Sequence, residues 1–291
     1  MNYLAASLHW EALHAARYST FEHARNARAR SLALAQKLGH HSDIAFRQYE
    51  LGEIYRIFGD LETAFGLYAE TRTGFEKLNV TLGLAFYQRA QGDIALQEQR
   101  YADALPFFQQ YKSYAEKDNH QWSRDQARSK VTLTRAHLGE INQGRQEMQA
   151  VLAEMNALRW DDLALQAMLT EPVCLLHEGR EEATIELASF LQNYHQSWNE
   201  TKTYAKKIVE SAAIGLPNET VQAAVNLLEH SQCGTLSTVW PGKPGGTIPT
   251  RRSRRGSHLV LDPQVTGGRG RQAVIGIIAC STPFRTRSPI V

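Results

Sequence analysis

The sequence of 291 residues is poor in cysteine and contains no long apolar run. Its three cysteines (Cys174, Cys233 and Cys280) lie far apart and form no CxxC pair, which argues against a zinc knuckle and against a disulfide framework. No apolar stretch approaches the roughly 18 residues that a membrane helix needs, so we expect no membrane partner. The first residues do not join a basic region to an apolar stretch, as a secretory signal does. These absences predict a cytoplasmic protein.

Motifs for catalysis and for cofactor binding are also absent from the sequence. There is no GxxxxGK[ST] loop to hold phosphates, and no serine, histidine and aspartate stand in a context that indicates a nucleophile. The adjacent pair His40-His41 falls in a predicted loop without cysteines or carboxylates beside it, and metal ligands normally come as convergent sets. We therefore expect no catalytic residue, no cofactor and no metal, and a protein that is not an enzyme.

Acidic residues are nearly absent from one part of the chain. Residues 233–291 hold nine basic residues and a single acidic one, Asp262, so this segment carries a formal charge of +8 while residues 1–232 carry −6. The segment also holds six of the nine prolines and nine of the twenty glycines. This composition predicts two regions: a folded domain over 1–232, and a basic tail over 233–291 without stable packing, as a flexible appendage or an out-of-frame extension of the gene.

A cluster of arginines in this tail is the one candidate for nucleic-acid binding. Such clusters attract phosphates and acidic surfaces, but no aromatic residues alternate with these arginines to stack on bases. We therefore do not expect nucleic acid to be the partner, and keep a basic nucleic-acid-binding arm as an alternative. The cluster consists of Arg251, Arg252, Arg254 and Arg255.

The strongest internal signal is a repeat with a period of about 40 residues, which is seen when the sequence is compared with itself. At the matching offset, Ala45-Phe46 falls on Ala85-Phe86, Gly52 on Gly92, and Ile54 on Ile94. Each period divides into two helical patterns separated by a turn. Turns are predicted at Gly59-Asp60, 98–99, Gly139 and Gly179, and Pro106 is expected in the first turn or so of its helix, where its missing N–H matters least. The predicted helices cover 45–58, 61–78, 85–97, 101–114, 126–138, 161–177 and 181–190, with another beginning at 141.

Small residues recur at the points where paired helices must approach each other. Gly52 and Gly92 on the first helices allow close crossings, and large residues such as Tyr68 and Phe108 are expected to fill the gap to the next pair. Each hairpin leaves an apolar face that only its neighbours can bury, so the pairs must stack. The prediction is an all-α, right-handed α-solenoid of about five helix pairs, a terminal helical cap and an irregular C-terminal tail.

The repeat resembles a known family. The pattern Leu51-Gly52-x-x-Tyr55, followed by Gly59, Ala64 and Tyr68, is similar to the tetratricopeptide repeat (TPR), and Gly92, Tyr101, Ala104 and Phe108 repeat most of it. The likeness covers about residues 5–230, with two good units and three degenerate ones. The period of about 40 rather than 34 resembles the long-period repeat regions of bacterial signalling ATPases and LuxR-type regulators.

The resemblance implies that the first helix of each pair lines a concave surface that binds a partner. Helical spacing then selects the residues that face the partner, and aromatic anchors with charged neighbours suit the recognition of a peptide or a helix. A rotation by one position would instead place some of them in the core. The expected partner-binding residues are Phe46, Tyr49, Glu53, Arg56, Phe86, Arg89, Asp93, Gln97, Gln126, Ser129 and His137.

The expected function is a non-catalytic scaffold for a protein or peptide partner, the regulatory or sensor module of a bacterial signal-transduction or transcription-regulatory system. The alternatives are a peptide-pheromone-type receptor module and a nucleic-acid-binding protein that acts through the basic tail. Because the first repeat is degenerate, its apolar surface is expected to need a cover, which an upstream domain or self-association would supply.

Overall fold

The computed structural model describes residues 2–158 and 160–229, and within these ranges the chain forms helices and no strand. No helix in this part of the chain is both long and apolar enough to cross a membrane. The helices are α1 (Asn2–Tyr18), α2 (Phe21–Leu38), α3 (His41–Ile57), α4 (Leu61–Leu78), α5 (Thr81–Gln97), α6 (Tyr101–Lys117), α7 (Gln121–His137), α8 (Ile141–Leu158), α9 (Asp161–Ala167), α10 (Thr170–His177), α11 (Glu181–Asn193), α12 (Asn199–Ala212) and α13 (Asn218–Glu229).

Consecutive helices pack against each other along the chain, as they do in a helical repeat. The hairpin pairs are α1 with α2, α3 with α4, α5 with α6, α7 with α8, and α10 with α11, while α12 and α13 both pack on α11. Most helices bury one face only, which explains why each pair needs its neighbours. The predicted all-α repeat is confirmed at this level.

The turns between the helices recur twice in each repeat period. At most of them one residue adopts a positive φ angle, such as 97° at Gly59, where the chain leaves a helix in the left-handed conformation. Asp60 then begins the next helix, because its carboxylate accepts a hydrogen bond from the Thr63 amide at 3.0 Å. The predicted turns are confirmed. In the described residues, positive φ angles occur at Gly39, Gly59, Asn79, Gln99, Asn119, Gly139, Gly179 and Gly215.

Several helices are longer than the apolar pattern predicts. The first helices begin directly after the turn residues, at 41, 81 and 121 rather than at 45, 85 and 126, and α6 continues to 117 rather than 114. The additional first turn of α3 begins with exposed polar residues, and that of α7 includes the buried polar residues Ser123 and Asp125, so apolar periodicity does not reveal either of them. As a result His41 is the first residue of α3, rather than a loop residue.

Two predictions that involve proline are wrong. The segment 161–177 is not one helix, because it breaks between α9 and α10 at Met168-Leu169. Pro172 explains the break, since it has no N–H to donate to the Met168 carbonyl four residues earlier and its ring crowds that carbonyl. Pro106 is the sixth residue of α6 and therefore lies beyond the first turn, yet α6 continues through it.

Glycine allows the closest approach within the helix pairs. A Cβ atom on Gly52 would lie 2.7 Å from Tyr68 Cε1, and one on Gly92 would lie 2.6 Å from Phe108 Cε1. Both aromatic rings therefore pack on the glycine of their own pair, and both also belong to core clusters that include residues of the next pair. Each ring is fully buried.

The two ends of the array meet through α12, which packs on α11 and also reaches α1, α3 and α10. At its N-terminus, the Trp198 indole N–H donates to the Tyr18 hydroxyl at 3.1 Å. The side-chain amide of Asn199 donates to the main-chain carbonyls of Ala16 at 3.2 Å and Ser19 at 2.8 Å. The last helices thus return to the first one, and α12 lies against the inner side of the array.

The close crossing at Gly92 predicts a substitution with a matched control. Gly92→Ala is expected to lower the free energy of unfolding by about 1–3 kcal/mol, because the added methyl group overlaps the Phe108 ring. Gly66→Ala is the control, since an added Cβ meets nothing within 4 Å there. It should raise the free energy of unfolding by about 0.5–1 kcal/mol through helix propensity. Urea denaturation followed by circular dichroism measures both, and equal effects would contradict the crossing.

Candidate functional site

Equivalent positions of successive repeats lie next to each other on the first helices. Tyr49 and Arg89 are 40 residues apart and in contact, because the Arg89 guanidinium donates to the Tyr49 hydroxyl. Gln126 and Gln166 are also 40 residues apart and are joined by a hydrogen bond of 3.4 Å. The repeat period therefore sets a ladder of polar side chains along the inner side of α3, α5, α7 and α9.

Six charged side chains meet at the centre of this ladder. Three are cations (Arg56, Arg89 and Lys130), and three are carboxylates (Glu53, Asp93 and Glu200). They come from α3, α5, α7 and α12. We call these six residues the central ion cluster.

The Glu53 carboxylate is bound by side chains of α3, α4 and α5. The Arg56 guanidinium donates to both oxygens of Glu53, with Nε to Oε1 and Nη2 to Oε2 each at 3.0 Å. The hydroxyl of Tyr68 also donates to Oε1, and Arg89 donates to Oε2. This carboxylate therefore accepts hydrogen bonds from three side chains on three helices.

Lys130 and Arg56 connect α12 to the rest of the cluster. The Lys130 ammonium lies 2.8 Å from Asp93 Oδ1 and 2.7 Å from Glu200 Oε1. Arg56 Nη2 lies 3.2 Å from the same Glu200 oxygen, and the Gln166 amide donates to the other oxygen at 3.4 Å. Glu200 is the single member of the cluster that lies outside the repeat pairs.

Burial makes these pairings electrostatically strong. Burial alone raises the pKa of Glu53, but attraction to Arg56 and Arg89 outweighs it and lowers that pKa to about 2. In the same way, Lys130 and Arg56 overcome the effect of burial on Glu200 and hold its pKa well below the usual range. The pKa of Asp93 is raised instead, because burial and two like charges outweigh its cationic partners.

A second contact between α7 and α12 is made by two uncharged side chains. The His137 ring stacks on Tyr101 with 4.2 Å between ring centres, and His137 Nε2 lies 2.8 Å from the Tyr204 hydroxyl on α12. Burial, together with the nearby His177, lowers the pKa of His137 to about 4. The ring is therefore neutral at pH 7. Tyr204 follows Glu200 by four residues, so both side chains project from one face of α12.

The structure gathers most of the expected partner-binding residues in and around the central ion cluster. Glu53, Arg56, Arg89 and Asp93 belong to it, while Tyr49, Gln126 and Ser129 are buried beside it. Gln97 and His137 are partly buried near α12. These residues therefore face another part of the same chain in this structure.

Two aromatic residues of the expected set lie in the packing between helices. Phe46 contacts the Phe75 ring with 5.0 Å between centres, and Phe86 stacks on Tyr49 at 5.5 Å. Both rings are partly buried and pack against the core of α3, α4 and α5. The tail cluster Arg251, Arg252, Arg254 and Arg255 lies outside the described residues.

Four residues of the site were missed by the sequence pattern: Lys130, Gln166, Glu200 and Tyr204. Gln166 could have been found by adding the repeat period to Gln126, and Lys130 directly follows the expected Ser129. Glu200 gives no such signal, because it lies 144 residues from Arg56 in a helix that does not follow the repeat.

The charged groups of the cluster are paired with one another. Each cluster carboxylate is within ion-pair distance of cations from the same chain, and in the described part of the chain no three His, Cys, Asp or Glu residues converge as metal ligands. Burial raises the pKa of the Cys174 thiol to about 12, far from the range of a reactive thiolate. What the site does is fix the position of a carboxylate on a helix.

Comparison with known proteins adds no assignment: no protein-family model matches the chain, and no curated protein matches it. Function is therefore inferred from the geometry of the central ion cluster and from the general behaviour of helical repeats.

His137 predicts a pH dependence with a definite sign. Its pKa is lowered from 6.5 to about 4 in the folded chain, so its neutral form stabilises the fold fully above pH 6.5, and that stability is lost as the pH falls towards 4. Over this range its contribution to the free energy of unfolding should fall by about 3 kcal/mol. The His137→Gln variant should lack this part of the decline, and urea denaturation at a series of pH values measures the difference.

The control is His41→Gln, which changes an exposed residue at the start of α3. In this variant the free energy of unfolding should depend on pH as it does in the wild type. A direct NMR titration of the His137 ring gives a second readout, and a midpoint near 6.5 would show that the ring is not buried beneath α12.

Proposed function

We propose that this chain is a TPR-type interaction scaffold, a right-handed solenoid whose concave side binds a segment of a partner protein. In this proposal it is cytoplasmic, has no catalytic activity, and serves as the regulatory module of a bacterial signal-transduction or transcription-regulatory system. The family assignment rests on the resemblance of its repeats, and the cellular role rests on analogy with long-period arrays of this type.

One observation carries the proposal: the inner side of α3, α5 and α7 already holds a helix that is not part of the repeat pairs. Lys130 and Arg56 contact Glu200 of α12, and His137 contacts Tyr204 of the same helix. A surface that fixes one helix by a carboxylate and a tyrosine hydroxyl has the chemistry to fix another. Helix recognition in a groove uses such anchors at helical spacing.

An enclosed peptide receptor is a second candidate, favoured by a cavity beside α12. Residues from five helices line it, among them Gln97 of α5, Ser129 of α7, Leu169 between α9 and α10, and Thr203 of α12. A short peptide would need this cavity to open further, so the receptor candidate predicts ligands of a few residues, whereas the scaffold predicts a helical segment.

Peptide display tests the proposed function. A library of random 16-residue peptides is panned on the wild-type chain and on the Glu200→Gln chain, in which the internal contact is weakened. We expect enriched peptides that bind the Glu200→Gln chain and lose at least about tenfold in affinity when Lys130→Gln is added, because a buried charge partner is removed. The matched control is Lys112→Gln, an exposed lysine of α6 that pairs with Glu116 on the surface.

Each result of the panning has a clear meaning. Peptides that need Lys130 and tolerate Lys112→Gln support the scaffold. No enrichment on either chain, or peptides that bind both lysine variants equally, would contradict binding through the inner side of the array. Circular dichroism and gel filtration establish that every variant is folded.

A further inference from the structure

The cluster of charges holds α12 in a position that the repeat does not require. The repeat pairs end with α11, and α12 is joined to it by a non-helical segment, 194–198. A second non-helical segment follows α12 and contains Gly215, whose φ angle is 86°. α12 is therefore a separate helix with a turn at each end, and its position depends on what it contacts.

The contacts of α12 with the inner side include three specific polar ones. Glu200 meets Lys130 and Arg56, and Tyr204 meets His137. At the N-terminus, Asn199 donates to two carbonyls at the end of α1. The apolar residues Ala205 and Ile208 belong to a core that includes α11 and also residues of the inner side such as Leu133 of α7. The inner side thus recognises α12 by specific polar groups in addition to apolar packing.

Charge balance limits what can replace α12. Without Glu200, the repeats alone place three cations (Arg56, Arg89 and Lys130) against two carboxylates (Glu53 and Asp93). A segment that replaced α12 and covered the cluster without a carboxylate would leave one buried positive charge without a partner, which is strongly unfavourable at low dielectric. The inner side is balanced only when another carboxylate enters between Lys130 and Arg56.

We propose that α12 is an internal ligand of the array, and that the external partner is a helical protein segment whose carboxylate replaces Glu200 between Lys130 and Arg56. The same segment carries a tyrosine four residues after that carboxylate, in the place of Tyr204, to reach His137. Binding of the partner displaces α12, so that the free chain is self-inhibited. This inference rests on the proposed function, because it specifies the partner of the same surface.

The probe that tests it is a synthetic peptide of residues 197–212, with the sequence of α12 and a fluorescent label. Its binding is measured by anisotropy on three full-length chains: wild type, Glu200→Gln and Glu210→Gln. Glu210 is the matched control, since it lies on the same helix but is exposed and pairs only with Lys206 at 3.8 Å. We expect the peptide to bind the Glu200→Gln chain at least about tenfold more tightly than the other two.

Substitutions in the peptide test the need for a carboxylate. On the Glu200→Gln chain, the peptide with glutamine at position 200 should bind at least about tenfold more weakly, and the peptide with glutamine at 210 should bind as the original does. If glutamine at 200 has no effect, the carboxylate is not the determinant and the proposal is wrong. If a folded Glu200→Gln chain binds no peptide at all, α12 is a fixed part of the fold and the proposal is also wrong.

A second variant covers the case in which Glu200→Gln fails to fold. Asn199→Ala keeps the central ion cluster and removes only the two hydrogen bonds to α1. It should increase peptide binding relative to wild type by a smaller factor, and an unchanged affinity would overturn displacement of α12. Light scattering adds one outcome, because a dimer of the Glu200→Gln chain would identify a second copy as the occupant and would overturn an external partner.

Failure of this proposal and failure of the proposed function are distinguishable. Peptides selected by display that bind through Lys130 but need no carboxylate would leave the scaffold standing and refute the acidic partner. Absence of any peptide that depends on Lys130 in the panning would refute the scaffold itself.

Discussion

Pairing of buried charges is the constraint on which this structure depends. Arg56 is almost completely buried, with 1% of its side chain exposed, and it contacts Glu53, Asp93 and Glu200 from three different helices. A buried guanidinium without such partners would cost several kcal/mol. Arg56 therefore links the positions of α3, α5 and α12. If α12 moved away, Arg56 would lose Glu200 and would need either water or another carboxylate in its place.

The repeat supplies the geometry for this pairing. Each period contains two helices and two turns, so the first helix of one repeat lies beside the first helix of the next. Residues at equivalent positions, such as Glu53 and Asp93, therefore come side by side. Gly52 and Gly92 hold the two helices of each pair close, with an aromatic ring against each glycine. The same spacing that builds the core brings the charged residues of the inner side together. The chain then closes on itself, because α12 reaches the end of α1.

Much of the fold and part of the site could be predicted from the sequence. The offset of the repeat located the helix pairs, and glycine located most turns, because both are local signals. The break at Met168 was readable from Pro172, while the early start of α3 at His41 was not, because its first turn is solvated and carries no apolar pattern. Helical spacing placed Glu53 and Arg56 on one face of their helix, but it could not reveal that Arg56 also pairs with Glu200. Long-range closure depends on the summed geometry of all repeats, and no local pattern records it.

Hydrogen–deuterium exchange of the wild-type chain is the most direct test of the account. If the central ion cluster holds α12 in the array, the amides of 201–212 should be protected by several orders of magnitude at neutral pH, as those of α3 and α5 are. Exchange of 201–212 near the intrinsic rate, while α3, α5 and α7 remain protected, would contradict the account. The inner side of the array would then be open in the free chain, and Lys130 and Arg56 would face solvent rather than Glu200.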